Sequence, residues 1–308
     1  MRAPRGWRAL LWLAAIGLLL WVLRSVDFTA TWELVRGLER WEVATLVVVN
    51  IGALFVFGIR WWIILDGLGH PLGFLQLCLY RFAAFGFAYF TPGPLIGGEP
   101  VQVILAEKRH GLPREVAIAS VGLDRLFEGV VHLGFLAAAA LMVTTGRSAL
   151  FLAVFVSVPL AYLVALASGR KPLSALVRRE VVRTSEAYAG RFCRERPKHV
   201  VLALVASGLS WSLVVLEYSL VVSFLGAGLD FRQVLVGWVA SRIAYLLFLP
   251  AGLGVLEASQ VVVFRNLGLA AEMAVGVVLV VRFRDVVFSG IGLLVGMRML
   301  TSSSTRPR

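Results

Sequence analysis

Six charged side chains interrupt long apolar runs of this sequence, in two groups far apart along the chain: Glu99, Arg125, Glu128, Glu257, Arg282 and Asp285. A charge near the centre of a bilayer costs roughly 3 kcal/mol, so the six together would cost on the order of 15–20 kcal/mol without compensation. That exceeds the ~5–15 kcal/mol by which proteins are usually stable. The six side chains must therefore pair with one another or face water.

The spacing of these charges allows two kinds of chemistry, and the sequence leaves both open. Arg125 and Glu128 are three residues apart, as are Arg282 and Asp285, so each pair shares a helix face and could clamp neighbouring helices together. Alternatively, the two arginines bind a phosphate group, which guanidinium contacts through two parallel hydrogen bonds. Glu99 and Glu257 would then relay protons or pair with the arginines when no ligand is bound. No metal-ligand or nucleophile–base pattern accompanies them, so we expect no metal, no cofactor and no catalysis.

Proline and glycine break the apolar run just before each of the two glutamates. The first break is TPGPLIGG and the second is PAGLG. Proline cannot continue a helix, and the backbone N–H groups at the start of the next helix favour anions. Glycine lets a ligand approach the backbone closely. We therefore predict two hairpin tips that line a binding site: Pro92, Gly93, Gly97, Gly98, Pro250, Gly252 and Gly254.

The limbs that follow these tips are too short to cross a membrane. A spanning helix needs about 20 residues, whereas the limb after the first tip covers only residues 101–106 and the limb after the second only residues 255–264. The limbs before the tips are residues 74–90 and 231–249. We predict two re-entrant hairpins, each of which enters the bilayer and returns to the same side.

Composition places the whole chain in a membrane. Hydrophobic residues make up 59% of it, charged residues 16%, and the mean hydropathy is +0.85. An ordinary soluble domain is less apolar. We predict an all-α polytopic membrane protein with about six spanning helices besides the two hairpins, over residues 7–23, 43–65, 116–143, 150–167, 200–225 and 273–297.

The basic residues set the predicted topology. Lys and Arg number 30 against 18 Asp and Glu, and they lie between apolar runs, which is typical of cytoplasmic loops near anionic lipid and not of a nucleic-acid interface. We predict cytoplasmic N- and C-termini in a bacterial plasma membrane. The segment 169–199 is predicted to be cytoplasmic and to lay an amphipathic helix on the headgroups, with Leu176, Val177, Val181 and Tyr188 as its apolar side. It serves either as a topogenic charge cluster or as a headgroup sensor.

Arg60 is followed by Trp61 and Trp62 near the end of a predicted span. This pattern is typical of a membrane-interface anchor. Arg60 is also a seventh candidate for substrate binding, since it is a further arginine within an apolar run.

The chain contains an internal duplication. Fourteen residues separate Gly111 from Arg125 and also Gly268 from Arg282. Loop charges place the two copies in opposite orientations, an arrangement found in many secondary transporters. We divide the chain into five parts: an N-terminal span and external loop (1–40), repeat 1 with its re-entrant hairpin (41–145), a connecting span and basic cytoplasmic loop (146–199), repeat 2 with its re-entrant hairpin (200–298), and a basic tail (299–308).

The segments TPGPLIGGEPVQ, DRLFEG, PAGLGVLEA and RFRD together resemble the flippase-like family of the lysylphosphatidylglycerol synthase transmembrane domain, over roughly residues 10–300. The resemblance implies translocation of membrane lipids across the bacterial plasma membrane. Some members are fused to an aminoacyl-lipid synthase or accompany glycosyltransferases. No such soluble domain follows Met297 in this sequence, so we do not expect lipid aminoacylation. Gln102 stands where an arginine often follows the GEP segment, which leaves the choice of headgroup open.

We therefore expect a lipid translocase whose substrate is an anionic phospholipid or a polyprenyl-phosphate-type lipid. Its headgroup crosses between the two hairpins while its tails stay in the bilayer. Two alternatives remain open. One is a membrane-embedded lipid phosphatase or transferase that uses the two glutamates, and the other is a scaffold that partners a separate lipid or glycan synthase.

Overall fold

The computed structural model describes residues 20, 21, 24, 26–90, 97–143, 147–246 and 252–302. These residues form helices and no strands, which confirms the predicted all-α class. In chain order the helices are α1 (Phe28–Arg36), α2 (Arg40–Gly67), α3 (Phe74–Phe90), α4 (Glu99–His110), α5 (Arg114–Val143), α6 (Arg147–Ala167), α7 (Pro172–Leu176), α8 (Glu180–Glu195), α9 (Pro197–Phe224), α10 (Phe231–Leu246), α11 (Val255–Asn266) and α12 (Ala271–Ser302).

Three helices of the described part are long and apolar enough to cross a membrane: Arg40–Gly67, Arg114–Met142 and Pro197–Phe224. Apolar residues surround α2 and α9 on all sides instead of forming one stripe, as expected for helices enclosed by lipid and protein. The chain is therefore a multi-pass membrane protein. Most of the predicted first span, 7–23, lies outside the described residues, and the total of six spans stays a prediction.

Two triplets of consecutive helices have matching lengths. Helices α3, α4 and α5 contain 17, 12 and 30 residues, and α10, α11 and α12 contain 16, 12 and 32. In both triplets the 12-residue helix follows a predicted tip and is too short to span a bilayer. The matching lengths support the internal duplication, whereas the opposite orientation of the copies stays a prediction.

The described glycines of the two tips serve close packing and a tight turn. A side-chain carbon on Gly98 would overlap the backbone of Ala84, so glycine lets the start of α4 lie against α3. Gly97 directly precedes this contact. Gly252 and Gly254 have positive φ angles of 64° and 79°, which other residues disfavour, and they lead the chain into α11. Three predicted tip residues lie outside the described part: Pro92, Gly93 and Pro250.

The described helices cluster into two compact units. The first contains the described residues up to Val49, those of Ala88–Gly97 and those of Val215–Phe288, and the second contains those of Asn50–Phe87, those of Gly98–Val214 and those from Ser289 onwards. These units follow spatial contacts and do not test the five sequence-based parts, which stay a prediction.

Each unit has its own apolar packing. In the second unit, Trp61, Leu77, Leu105 and Val116 pack together where α2, α3, α4 and α5 meet. A neighbouring cluster joins α2, α5, α6, α8 and α9. In the first unit, a small cluster consists of Ala244, Leu256 and Val278. The charged residues described below lie on the same helices as these clusters.

Glycines also bring α3 close to the C-terminal half of α12 within the second unit. A side-chain carbon on Gly86 would overlap the backbone of Gly292 and Leu293, and one on Gly292 would overlap the carbonyl of Phe82. Small residues at such crossings let membrane helices pack by van der Waals contact between backbones.

Two predictions about segments outside the spans need correction. Residues 28–36, predicted as part of an external loop, form α1, and the Asp27 carboxylate accepts hydrogen bonds from the backbone of Thr29 and Ala30 at its start. An aspartate at this position is a helix-start signal that the sequence already carries. The last helix, predicted to end at residue 297, continues to Ser302.

The amphipathic helix of the segment 169–199 exists as α8, but its apolar side was assigned wrongly. Ala189, Phe192 and Cys193 are buried against α5 and α6, so this face packs on protein and not on headgroups. Leu176 and Val177, predicted on that face, precede α8 and are 85% and 38% exposed. The helical period of α8 places residues 189, 192 and 193 on one stripe. The sequence pattern is as compatible with this apolar side as with the predicted one.

Candidate functional site

Six charged side chains of the second unit form the first ion cluster, and four helices contribute them: Arg60 from α2, Arg81 from α3, Glu99 from α4, and Asp124, Arg125 and Glu128 from α5. Three are arginines and three are carboxylates, so the cluster is formally neutral. The cost of placing charge among apolar helices is therefore met by pairing.

The buried part of the first cluster joins α2 and α3 to α5. Arg60 Nε lies 2.7 Å from Asp124 Oδ1, and Arg60 Nη2 lies 2.7 Å from Glu128 Oε2. Arg81 pairs with both carboxylates as well, at 3.0 Å from Glu128. The side chains of Arg60 and Asp124 are fully buried. Arg60 Nη1 also donates to Ser207 Oγ of α9 at 3.3 Å, so this one guanidinium holds three helices.

The accessible part of the first cluster surrounds Arg125. Its Nε lies 2.9 Å from Glu99 Oε1, and its Nη1 lies 3.0 Å from Glu128 Oε2. The side chain of Arg125 is 37% exposed and that of Glu99 is 22% exposed. The predicted pair three residues apart on α5 is confirmed. The pairing of Glu99 with an arginine is also confirmed, and it joins the first residue of α4 to α5.

The second ion cluster lies in the first unit and consists of Glu217 from α9, Glu257 from α11, and Arg282, Arg284 and Asp285 from α12. Arg282 Nε lies 2.7 Å from Glu257 Oε1. Arg284 lies 2.5 Å from Glu217 and 2.9 Å from Asp285. The Tyr245 hydroxyl of α10 donates to Asp285 at 3.3 Å. The predicted pairing of Glu257 with an arginine is confirmed.

Glu257 also fixes the start of its own helix. Its Oε2 accepts a hydrogen bond of 2.8 Å from the backbone N–H of Gly254. A carboxylate that reaches back to the residue before the helix satisfies a donor that no helical carbonyl can reach. The same side chain therefore shapes the second tip and neutralises Arg282.

The two clusters occupy corresponding positions of the duplicated sequence but differ in detail. Arg125 and Arg282 are 157 positions apart, and the same offset relates Arg60 to Glu217, so the second copy reverses the charge on the corresponding helix. The Arg282 and Glu257 side chains are only 14% and 10% exposed. The arginine–glutamate pair is thus open in the first cluster and enclosed in the second.

A glutamine three residues after each glutamate shows the same asymmetry. Gln260 accepts from the Tyr218 hydroxyl at 2.5 Å and donates to the Gly237 carbonyl at 3.0 Å. Gln102 is fully buried, and both polar atoms of its amide lack a hydrogen-bond partner among the described residues. A buried amide without partners is costly, so the first copy is less completely satisfied at this position than the second.

The structure assigns every described charge of the predicted site to one of the two clusters. The interface-anchor interpretation of Arg60 is wrong, because Arg60 and Trp61 are fully buried and Trp61 donates to Ser120 of α5. Four cluster members were absent from the predicted site: Arg81, Asp124, Glu217 and Arg284. Each is a charge within an apolar run, and that signal alone would have identified them.

Comparison with known proteins gives a consistent result. The sequence matches the family model described as lysylphosphatidylglycerol synthase TM region over residues 9–292. A UPF0104 membrane protein of Pyrococcus horikoshii is 23% identical over an alignment of 292 residues that covers 82% of this chain and 86% of that protein. A UPF0104 membrane protein of Methanothermobacter thermautotrophicus is 27% identical over 134 residues, 42% of this chain and 38% of that protein. No solved structure matches the chain.

Proposed function

The chain belongs to the lysylphosphatidylglycerol synthase TM region family, and from this membership we propose that it translocates lipids across the plasma membrane. The proposed substrate is an anionic phospholipid or a polyprenyl-phosphate-type lipid. Its phosphate group passes through the site while its tails remain in the bilayer. In this proposal the protein moves the lipid without changing it chemically.

The accessible Arg125–Glu99 pair is the observation that carries this proposal. Arg125 is the most exposed arginine of the ion pairs within the membrane helices, and its guanidinium can contact a phosphate with two parallel hydrogen bonds. A lipid phosphate that takes the place of Glu99 preserves one negative charge beside Arg125. Glu99 is the first residue of α4, so its departure from Arg125 removes one contact between that helix and α5.

Headgroup accessibility in proteoliposomes tests the proposal. The purified protein is reconstituted with fluorescent phosphatidylglycerol, and a quencher that cannot cross the bilayer reports the fraction of outward headgroups. Wild type is expected to bring inner-leaflet lipid to the outer face faster than protein-free vesicles. Arg125→Gln is expected to slow this exchange about tenfold or more, since it removes charge-assisted hydrogen bonds to the phosphate.

Arg183→Gln is the matched control, because Arg183 is an exposed arginine of α8 with an i,i+3 partner, Glu180. It should exchange lipid at the wild-type rate. Equal rates for Arg125→Gln and wild type would refute the phosphate role of Arg125. Mass spectrometry of the recovered lipid separates the alternatives: a changed headgroup indicates an enzyme, and neither change nor exchange indicates a scaffold.

A further inference from the structure

Arg242 of α10 differs from the arginines of both ion clusters in its partners. Its Nε donates to Ser241 Oγ at 3.3 Å, and its guanidinium carbon lies 4.9 Å from the centre of the Tyr245 ring. Among the described residues, no carboxylate oxygen lies within 4.0 Å of Arg242, whereas the nearby carboxylates pair with Arg282 and Arg284. Glu217 and Asp285 act on Arg242 only from longer range.

The guanidinium of Arg242 therefore has hydrogen-bond donors without an acceptor among the described residues. It carries five N–H groups, and the one on Nε is used by Ser241. The four on Nη1 and Nη2 find no acceptor in the described part of the first unit. Arg242 is half-buried, and unsatisfied donors are costly at membrane depth, so an acceptor from outside the described residues would stabilise its guanidinium.

A small cavity beside Arg242 shows where such an acceptor would lie. Polar groups on its wall come from Tyr218, Ser241, Arg242, Tyr245 and Gln260, and its remaining wall is apolar. The Tyr218 hydroxyl and the Gln260 amide satisfy each other, so they do not use the donors of Arg242. The cavity holds about one water molecule, so a larger ligand that contacts half-buried Arg242 would lie mostly outside it.

We infer that Arg242 binds a phosphate group at the mouth of this cavity, as a second phosphate contact besides Arg125. The inference rests on the proposed lipid substrate, and it adds a site in the first unit that the sequence did not indicate. A phosphate offers several acceptor oxygens in the planar arrangement that guanidinium matches. A single water molecule accepts too few hydrogen bonds to satisfy four donors. The Tyr245 ring stacks against the guanidinium and holds it in place.

Lipid binding by the purified full-length protein in detergent tests the site. Affinities are measured for phosphatidic acid and for diacylglycerol with the same acyl chains, which differ only in the phosphate. Arg242→Gln is expected to weaken phosphatidic acid binding about tenfold or more and to leave diacylglycerol binding unchanged. Arg242→Lys should bind phosphatidic acid with an affinity between those of wild type and Arg242→Gln, because lysine keeps the charge and loses the bidentate geometry. Arg232→Gln, an exposed arginine of the same helix, should bind within about twofold of wild type.

The affinities of the variants for phosphatidic acid decide whether Arg242 binds phosphate. Wild-type affinity of Arg242→Gln for phosphatidic acid, or an equal loss in Arg232→Gln, overturns the inference. Competition by inorganic phosphate in wild type but not in Arg242→Gln shows that free phosphate also fits the site, whereas failure to compete restricts the site to lipid phosphate. Thermal unfolding of each variant checks the fold, and Arg242→Lys keeps the test decisive if Arg242→Gln is unstable.

The inference and the proposed function fail in different ways. If wild type moves no lipid in vesicles but Arg242→Gln binds phosphatidic acid more weakly than wild type, the site stands and translocation does not. If lipid exchange persists while Arg242→Gln binds phosphatidic acid normally, translocation stands and this site does not.

Discussion

The charge of Arg60 is predicted to hold three helices together, and replacing it with glutamine tests this directly. Arg60→Gln keeps a long polar side chain but removes the charge opposite Asp124 and Glu128, both 2.7 Å away. The first ion cluster would then contain two arginines and three carboxylates. Asp124 is fully buried, so water cannot replace the lost partner.

The size of the effect follows from that burial. Removing one partner of a buried ion pair typically costs about 3–5 kcal/mol. Arg81 still pairs with Asp124 and Glu128, but one net negative charge of the cluster stays uncompensated, so we expect a cost near the lower end of this range. For a chain of this size such a loss lowers the melting temperature by on the order of 10 °C. The double variant Arg60→Gln with Asp124→Asn restores equal numbers of opposite charges. It is therefore expected to regain about 1–3 kcal/mol relative to the sum of the two single changes.

Unfolding in mixed micelles of mild detergent and dodecyl sulfate measures these differences in the free energy of unfolding. Arg183→Gln provides the control, since its pair with Glu180 is exposed, with side chains 66% and 72% accessible, and such pairs contribute about 0.3–0.5 kcal/mol. If Arg60→Gln costs no more than Arg183→Gln, or if the double variant shows no coupling, the clamp role of Arg60 is wrong.

Two further predictions test the packing of the second unit. Gly292→Ala is expected to lower the free energy of unfolding by about 1–3 kcal/mol, because the added methyl group forces α3 away from α12. Gly290→Ala on the same helix meets open space and should be neutral or slightly stabilising. Thermal unfolding compares the two variants, and equal melting temperatures would contradict the close crossing of α3 and α12. Burial raises the pKa of the Cys193 thiol to about 11, so little reactive thiolate exists at pH 8 and its alkylation should speed up about tenfold per pH unit up to that pKa. Mass spectrometry should find Cys193 at least about tenfold slower at pH 8 than an exposed cysteine introduced by Arg191→Cys, and comparable rates would mean that α8 is not docked.

The sequence predicted those features of the site that depend on local spacing. Arg125 and Glu128 pair because three residues on a helix bring their side chains to one face. The same spacing did not decide the partners of Arg282 and Asp285, which pair with Glu257 and Arg284. The helix breaks before Glu99 and Glu257 follow from proline and glycine alone. The matching triplets of helices likewise follow from spacings that recur 157 or 158 positions apart.

Partners far apart in the sequence could not be predicted in this way. Arg60 meets Asp124 across 64 positions and Arg81 meets it across 43, and no periodicity states which faces of α2, α3 and α5 turn towards one another. The two tryptophans after Arg60 suggested the membrane interface, although Trp61 is buried in the apolar core. Arg242 was missed for a related reason, since its lack of a carboxylate partner becomes visible only when the surrounding carboxylates are seen to be paired with other arginines.

Burial divides the arginines into two roles that the sequence leaves mixed. Arg60 and Arg81, with side chains 0% and 8% exposed, can exchange no partner without opening the packing between helices, so their contribution is structural. Arg125 is 37% exposed, and a phosphate that replaces Glu99 there would change neither the charge balance of the cluster nor the pairs that Arg60 and Arg81 make with Asp124. The clamp and phosphate interpretations therefore apply to different residues of one cluster. Under the proposed function, the neutral and paired interior would let Arg125 exchange its partner while the pairs of Arg60 and Arg81 hold α2, α3 and α5 in place.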